Sequence, residues 1–350
     1  MIRPGPVDLK SRAKPIRIVR AWLGLLGLAA SMALPADDLP TDTDVWSITI
    51  KNDLFGRRED GHYSSGVIFG HTPATTPAWL ARLGRRLPCV PCQNISRVVY
   101  TLGQSIYTPE DISVAELQTD DRPYAGWLHA GIGLLGQRAT TRPNLRSYDA
   151  IELTAGIIGP ASLAAKTQRL FHRITGSTQP RGWSNQLDNE PALLLTYTRY
   201  WQFVFPGGSA NDVEYDLTPR LLGAIGNVYT HAGAGAIWRL GKNLRADAGP
   251  GGSSAGFPAA AYFEPHESLS WYAFLGTEAR AVARNIFLDG NTFVNSHSVG
   301  KKDFVMDVQL GLTVSWKKMR LTFSEVFRSK EFAGQRGSDN YGSIALAFSL

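Results

Sequence analysis

The sequence predicts an all-β chain: a transmembrane antiparallel β-barrel of about twelve strands, with a short helix in an outward-facing loop. Three observations point there. Past its first forty residues the chain, which has 35 glycines in all, is a succession of alternating segments rich in glycine and in aromatic side chains, which suits lipid on one face and polar groups on the other. The same stretch holds no apolar run of 18 residues or more, so no membrane-spanning helix is expected. The chain also ends on Tyr341–Leu350, where Ile344, Leu346, Phe348 and Leu350 alternate with Ser343, Ala345, Ala347 and Ser349. Outer-membrane barrels commonly close on a strand of this kind, usually with an aromatic last residue where this chain has Leu350.

Taken in order, the first element is a leader. Arg3, Lys10, Arg12, Lys14, Arg17 and Arg20 stand against the single acid Asp8, an apolar run follows from Ala21 to about Leu34, and Ala30, Ser31, Ala33 and Ala36 offer small residues for cleavage. That is the layout of a secretory signal peptide, with a run too short to span roughly 30 Å of hydrocarbon. Residues 1–36 are therefore expected to be removed and residues 37–350 to form the barrel. Removing the first twenty residues leaves 30 basic against 29 acidic side chains. A mature chain so close to neutrality gives no support to nucleic-acid binding.

The candidate strands are Val45–Asn52, Tyr63–His71, Val98–Tyr107, Gly126–Gln137, Tyr148–Ile158, Ala192–Phe205, Val213–Gly226, Tyr229–Leu240, Leu269–Leu288, Asp303–Trp316, Met319–Phe327 and Tyr341–Leu350. The count is even, as in single-chain bacterial barrels. With a periplasmic N-terminus, loops after odd strands face outward. Asp53–His62, Thr108–Tyr124 and Gly159–Pro191 are then outward, and they hold nearly every polar cluster with chemical potential. The inward set contains Lys242–Ser268 and the pair Cys89 and Cys92. A local disulfide clip is the expectation for that pair, because a zinc site would need further ligands and a thioredoxin-like site would need βαβ patterning.

Three clusters stand out. Asn52-Asp53 ends strand one, and Glu59-Asp60-Gly61-His62-Tyr63-Ser64 leads into strand two. A hairpin brings these oxygens together, as a hard cation such as Ca²⁺ requires, although an Asx-stabilised turn reads the same way. In Asp120-Asp121-Arg122-Pro123-Tyr124-Ala125-Gly126-Trp127, Arg122 can bind a phosphate or pair with Asp121, and Trp127 reads as an interfacial girdle residue. Ser162–Thr175 is a helix candidate in which Gln168 and His172 share a face. Leu163, Leu170 and Ile174 read as its apolar anchors. A histidine so placed is a natural general base, although a surface histidine is more often a bystander.

Asn52-Asp53, Tyr63-Ser64-x-Gly66, Asp121-Arg122-Pro123-Tyr124-Ala125-Gly126-Trp127, Gln168-x-x-x-His172 and Gly182-Trp183-x-x-Gln186-x-x-Asn189-Glu190 together, in this order and spacing, resemble the outer-membrane lipid A 3′-O-deacylase family. The resemblance implies a twelve-stranded barrel whose Ca²⁺-dependent site opens to the outer leaflet and removes the 3′-linked acyloxyacyl group of lipopolysaccharide. It further implies His172 as the base that activates water, Asn52 and Asp53 as Ca²⁺ ligands, Ser64 in the place of a usual threonine, and Gln168 orienting base or substrate. Two departures are visible. Glu59-Asp60 replaces the family's acid–arginine pair, and no lysine stands between Thr108 and Thr119.

Two other readings compete. His62-Tyr63-Ser64-Ser65-Gly66 resembles the His-x-Ser-Asn-Gly motif of outer-membrane phospholipase A, with Ser64 as nucleophile and His62 as its base. Ser65 then replaces the asparagine, and the Gln168–Glu190 block is left without a purpose. A non-enzymatic porin or structural barrel is the second. A channel is expected to carry charge along its lumen, whereas the charge here reads as lying mainly in loops.

Overall fold

The structure is a computed structural model that describes residues 43–53, 63–84, 86, 95–138, 140, 142, 144–205, 213–244, 249–250 and 265–350. The expected leader, Cys89 and Cys92, and His62 lie outside the described residues.

The strands are β1 (Val45–Asn52), β2 (Tyr63–Thr72), β3 (Ile95–Tyr107), β4 (Ala125–Arg138), β5 (Leu145–Ile158), β6 (Glu190–Phe205), β7 (Glu214–Gly226), β8 (Tyr229–Lys242), β9 (His266–Asn285), β10 (Phe304–Lys317), β11 (Met319–Arg328) and β12 (Asp339–Ser349). Each pairs with its sequence neighbour, and β1 closes on β12 through the register Val45↔Ser349 to Asn52↔Gly342. The result is a closed antiparallel twelve-stranded barrel. Closure leaves no sheet edge, the only way a sheet can cross hydrocarbon with every ladder bond satisfied. No helix among the described residues is long and apolar enough to cross a membrane.

Sidedness follows from the two-residue period, inverted relative to a water-soluble protein. On β10, Leu310, Leu312, Val314 and Trp316 are exposed while Gln309, Thr313 and Ser315 are buried. On β11, Leu321 and Phe323 are exposed while Arg320, Thr322 and Ser324 are buried. Apolar groups therefore coat the outside and polar groups fill the lumen, as lipid solvation demands. Trp46, Phe348, Met319 and Trp316 form one register row at the rim where β12 ends and are all exposed, making an aromatic-rich belt. The chain lies in the outer membrane.

Most charged residues fall outside the named strands, as expected, but the strands also carry a connected series of ion pairs across the interior. Arg220 and Arg280 bond the two oxygens of Glu278 at 2.8 Å each, Arg280 reaches Asp307 at 3.0 Å, and Arg328 bonds Asp307 at 2.9 Å. Periplasmic to these, Arg239 pairs with Asp216. The sequence hid this because lumen charges are spaced by the strand period and never cluster in the chain. Cross-pairing ties these lumen charges to one another across neighbouring strands.

The outer mouth is plugged as well. β9 was expected to run to Leu288 but ends at Asn285, where a single helical turn begins. Three helices are labelled α1 (Ala78–Gly84), α2 (Ala164–Thr175) and α3 (Ile286–Asp289). The Asn285 side chain accepts from Phe287 N–H and so caps α3, and Gly290 ends it at φ 77°. Ile286, Phe287 and Leu288 are buried, with the Phe287 ring stacked 3.8 Å from Tyr107. Trp127 joins this cluster from the lumen face of β4, 4.1 Å from His129. It is an interior residue, not the girdle residue its sequence context suggested.

Candidate functional site

α2 does not stand over the mouth. It lies against the outside of the barrel wall at the outer rim. On β3 the exposed Leu102 marks the outward face, and the two-residue period puts Gln104 and Ile106 on that same face. Gln104 Nε2 donates to Ser162 O at 2.6 Å, and Ile106 packs with Ile112, Tyr124, Ala164 and Trp183. On β4, Gly126 faces the same way. A Cβ there would stand 2.2 Å from both Ala164 Cβ and Ser162 Oγ, so only glycine lets the helix come this close.

The helix is built for that contact. A 3₁₀ turn, Pro160–Ser162, leads into it through Leu163, whose φ of 61° redirects the chain. It ends at Gly176, φ 71°, whose N–H caps His172 O. Ala164, Gln168 and His172 share its buried face. Leu163, Leu170 and Ile174 do not anchor it. They are 50%, 54% and 70% exposed, which corrects the expectation, because the face pressed to the wall is that of Ala164, Gln168 and His172.

His172 is buried, and its Nδ1 is hydrogen-bonded to the Thr178 carbonyl. A carbonyl can only accept, so Nδ1 carries the proton and Nε2 is the basic nitrogen of the neutral ring. Gln168 is held through its oxygen, which accepts from Trp183 Nε1 at 2.7 Å. Its Nε2 is buried with no hydrogen-bond partner among the described residues.

The Gly182–Glu190 block holds this helix in place. Trp183 sits in a second 3₁₀ turn, Gly182–Asn185, and its ring lies 5.0 Å from Tyr124. Gln186 forms a bridge with Tyr124, whose carbonyl accepts from Leu187 N–H at 2.9 Å. Asn189 Oδ1 accepts from Ala161 N–H at 2.7 Å. Glu190 accepts from Asn227 and Asn291 side chains and from Thr292 N–H, tying three outer connections together.

The Arg122 guanidinium donates to Glu331 at 2.9 Å, from the loop between β11 and β12. Asp121 accepts from the Glu110 and Arg122 backbone N–H groups. Burial works against the charge of Arg122, but the nearby Glu331 and Asp339 carboxylates outweigh it and raise the guanidinium above its ordinary value. Nothing in the sequence near Arg122 pointed to Glu331, 209 positions away.

Asn52 and Asp53 are both buried at the same rim as α2. Asn52 opposes Ser65, which opposes Ile106, which opposes Gly126. All four share the outward face, so Asn52 stands two to three strand spacings, roughly 10–15 Å, from the wall beneath α2. Ser64 lies at a β-bulge between Tyr63 and Ser65, and its side chain lies outside what the structure describes. The structure thus brings His172 and Gln168 together and puts Asn52 and Asp53 at the same rim. An amide oxygen and a carboxylate are hard donors that suit Ca²⁺ in kind, and they are fewer than the roughly six to eight it takes. Among the described residues no three His, Cys, Asp or Glu side chains converge.

The sequence matches the family described as outer membrane protein LpxR over residues 22–350. Among solved structures, LpxR from Salmonella typhimurium is similar, with a TM-score of 0.72 at 20% identity over 87% of this chain and 100% of that one. The beta domain of the Bordetella autotransporter BrkA follows at TM-score 0.44 and 8% identity, over 88% of this chain and 100% of that one. The translocator domain of the autotransporter NalP from Neisseria meningitidis gives 0.37 and 12%, over 94% and 96%. These two carry no argument. No protein of curated function matches.

Proposed function

The chain belongs to the LpxR family of outer membrane proteins and is a lipid-modifying enzyme of that membrane, and on that premise we propose that it is a Ca²⁺-dependent lipid A 3′-O-deacylase. The observation that carries this reading is the placement of His172 and Gln168 on the one face of α2 pressed to the outside of the barrel wall. A site there lies between the helix and the outside of the wall, on the lipid side and not the lumen side, so the substrate it would meet is an ester of the outer leaflet. Lipopolysaccharide is that lipid.

In this mechanism His172 Nε2 takes a proton from water, which attacks the carbonyl carbon of the 3′-linked ester. The Nδ1–H bond to Thr178 O holds the ring in the required tautomer and steadies the charge it gains. The unpartnered Gln168 amide N–H₂ is a donor for the substrate carbonyl or the oxyanion formed from it, with Trp183 fixing its orientation. Ca²⁺, held by Asn52 and Asp53, would polarise the ester and offset negative charge. The His172 proton then passes to the leaving 3′-oxygen, releasing the acyloxyacyl acid. Ser64 has no nucleophilic duty in this scheme.

Lipid A mass spectrometry after incubation of the purified barrel with lipopolysaccharide and Ca²⁺ tests the reading. The expected result is loss of the 3′ acyloxyacyl mass by the wild type, abolished by EDTA, restored by added Ca²⁺ and absent in His172→Ala. Hydrolysis that survives His172→Ala but is lost in Ser64→Ala would replace it with a serine phospholipase.

A further inference from the structure

α2 is amphipathic in an unusual sense, since the face it buries against protein is polar and part of what it exposes is apolar. At 3.6 residues per turn, Thr167, Leu170 and Ile174 line one edge of its exposed surface, and Leu163, just before its first turn, is exposed as well. Lys166, Arg169 and Arg173 line a second edge, roughly a quarter-turn round the axis. All three cations are exposed, and none forms an ion pair with a described residue. An apolar edge and a cationic edge side by side, on a helix fixed at the rim of a membrane barrel, match the boundary between acyl chains and phosphate headgroups. The outer wall of the strands beside the helix is apolar too, with Leu102, Ile132 and Leu153 exposed on β3, β4 and β5.

We propose that α2 is an interfacial helix. Leu163, Leu170 and Ile174 enter the acyl layer of the outer leaflet, and Lys166, Arg169 and Arg173 bind the phosphates of its phosphorylated glycolipid, presenting the lipid to the wall beneath. The identity of that glycolipid as lipid A rests on the proposed function. The apolar insertion does not. Charge complementarity favours this occupant, because a leaflet of multiply phosphorylated lipid offers anions at the depth where a helix with a buried apolar edge holds its cations. A second protein would be expected to cover the apolar edge with protein side chains and leave it shielded from lipid.

Two measurements decide it, each on the full barrel with Cys89 and Cys92 changed to serine and folding checked by heat-modifiable electrophoretic mobility. In the first, an environment-sensitive fluorophore is attached to single cysteines replacing Leu170, Ile174, Arg169 or Arg173, in vesicles containing lipopolysaccharide and brominated phospholipid. Quenching at positions 170 and 174, with little at 169 and 173, is the expected result. Equal quenching at all four positions, or none at 174, overturns insertion. In the second, lipopolysaccharide binding is measured in EDTA, where no turnover occurs, for the wild type and a Lys166→Gln/Arg169→Gln/Arg173→Gln variant. The variant should bind the phosphorylated glycolipid about tenfold to a hundredfold more weakly and its dephosphorylated form equally well. An equal loss on both forms, or no loss, overturns the phosphate role, as does the same loss on phosphatidylglycerol vesicles. Insertion and phosphate dependence without any deacylation would retain this inference and refute the proposed reaction. Deacylation with no insertion would do the reverse.

Discussion

Gly126 is a point of close approach between the barrel wall and α2, and Gly126→Ala tests whether that closeness matters. The new Cβ would meet Ala164 Cβ and Ser162 Oγ at 2.2 Å, short of ordinary contact by more than about 1 Å. Neither partner can yield easily. Ala164 Cβ is fixed to the helix backbone, and Ser162 Oγ is held by its bond to Gly159 O at 2.6 Å. The strand is locked on both sides by its ladders to β3 and β5. The helix must therefore lift, carrying Gln168 and His172 with it. A displacement of roughly 1 Å at a catalytic group costs on the order of 100-fold in rate. The assay is the initial rate of acyl release from lipopolysaccharide, beside thermal unfolding of the barrel. Gly276→Ala is the control, since its Cβ would find nothing nearer than 3.5 Å. The account expects a large loss of rate in Gly126→Ala, little change in unfolding temperature, and near wild-type behaviour in Gly276→Ala. A folded Gly126→Ala barrel with the wild-type rate would refute the packing argument.

The other predictions concern what holds the helix. Trp183→Phe keeps an aromatic side chain but removes the donor to Gln168, leaving a buried amide oxygen unpaired at a cost of about 1–3 kcal/mol. Acyl release should fall in a barrel that still folds, and an unaltered kcat would show that Gln168 needs no such partner. Arg122→Gln leaves Glu331 buried without its main counter-ion and should destabilise the barrel by about 3–5 kcal/mol in denaturant unfolding from vesicles. Arg122→Gln/Glu331→Gln should recover part of that loss, and strict additivity would show the pair to be uncoupled. Asp53→Asn should raise the Ca²⁺ concentration needed for half-maximal release by tenfold or more, as loss of a charged ligand oxygen implies. An unchanged Ca²⁺ titration would remove Asp53 from the ligand set.

Much of the barrel was readable from the chain. Strand period, strand number and the long outward loops are local features, and β1 is found where its alternation and the following polar cluster place it. β9 was overrun because Ile286-Phe287-Leu288 continues an apolar run, and only the mouth of the closed barrel makes a helical turn the better burial. Trp127 and the exposed edge of α2 were misjudged for a shared reason. In a barrel surrounded by lipid, the face a side chain takes decides between water, lipid and protein, and that face depends on register with distant strands. Gln168 and His172 were legible as a pair because helical spacing is local. Their position outside the wall was not, because it depends on Gly126 and Gln104, some 40 to 70 positions upstream. Arg122 and Glu331 meet only when the loop after β11 folds over the one after β3.

The central claim is that His172 belongs to the cell-surface rim of the barrel, on the side from which lipopolysaccharide arrives. Labelling intact cells with a membrane-impermeant maleimide tests it, using a single cysteine at Gln179, beside the Thr178 carbonyl that holds His172. A matching cysteine at Lys318, in the tight turn of the opposite rim, is the comparison. The account predicts labelling at position 179 in intact cells and at 318 only after the outer membrane is opened. The reverse pattern would place His172 in the periplasm, away from any lipid A ester, and would contradict the account.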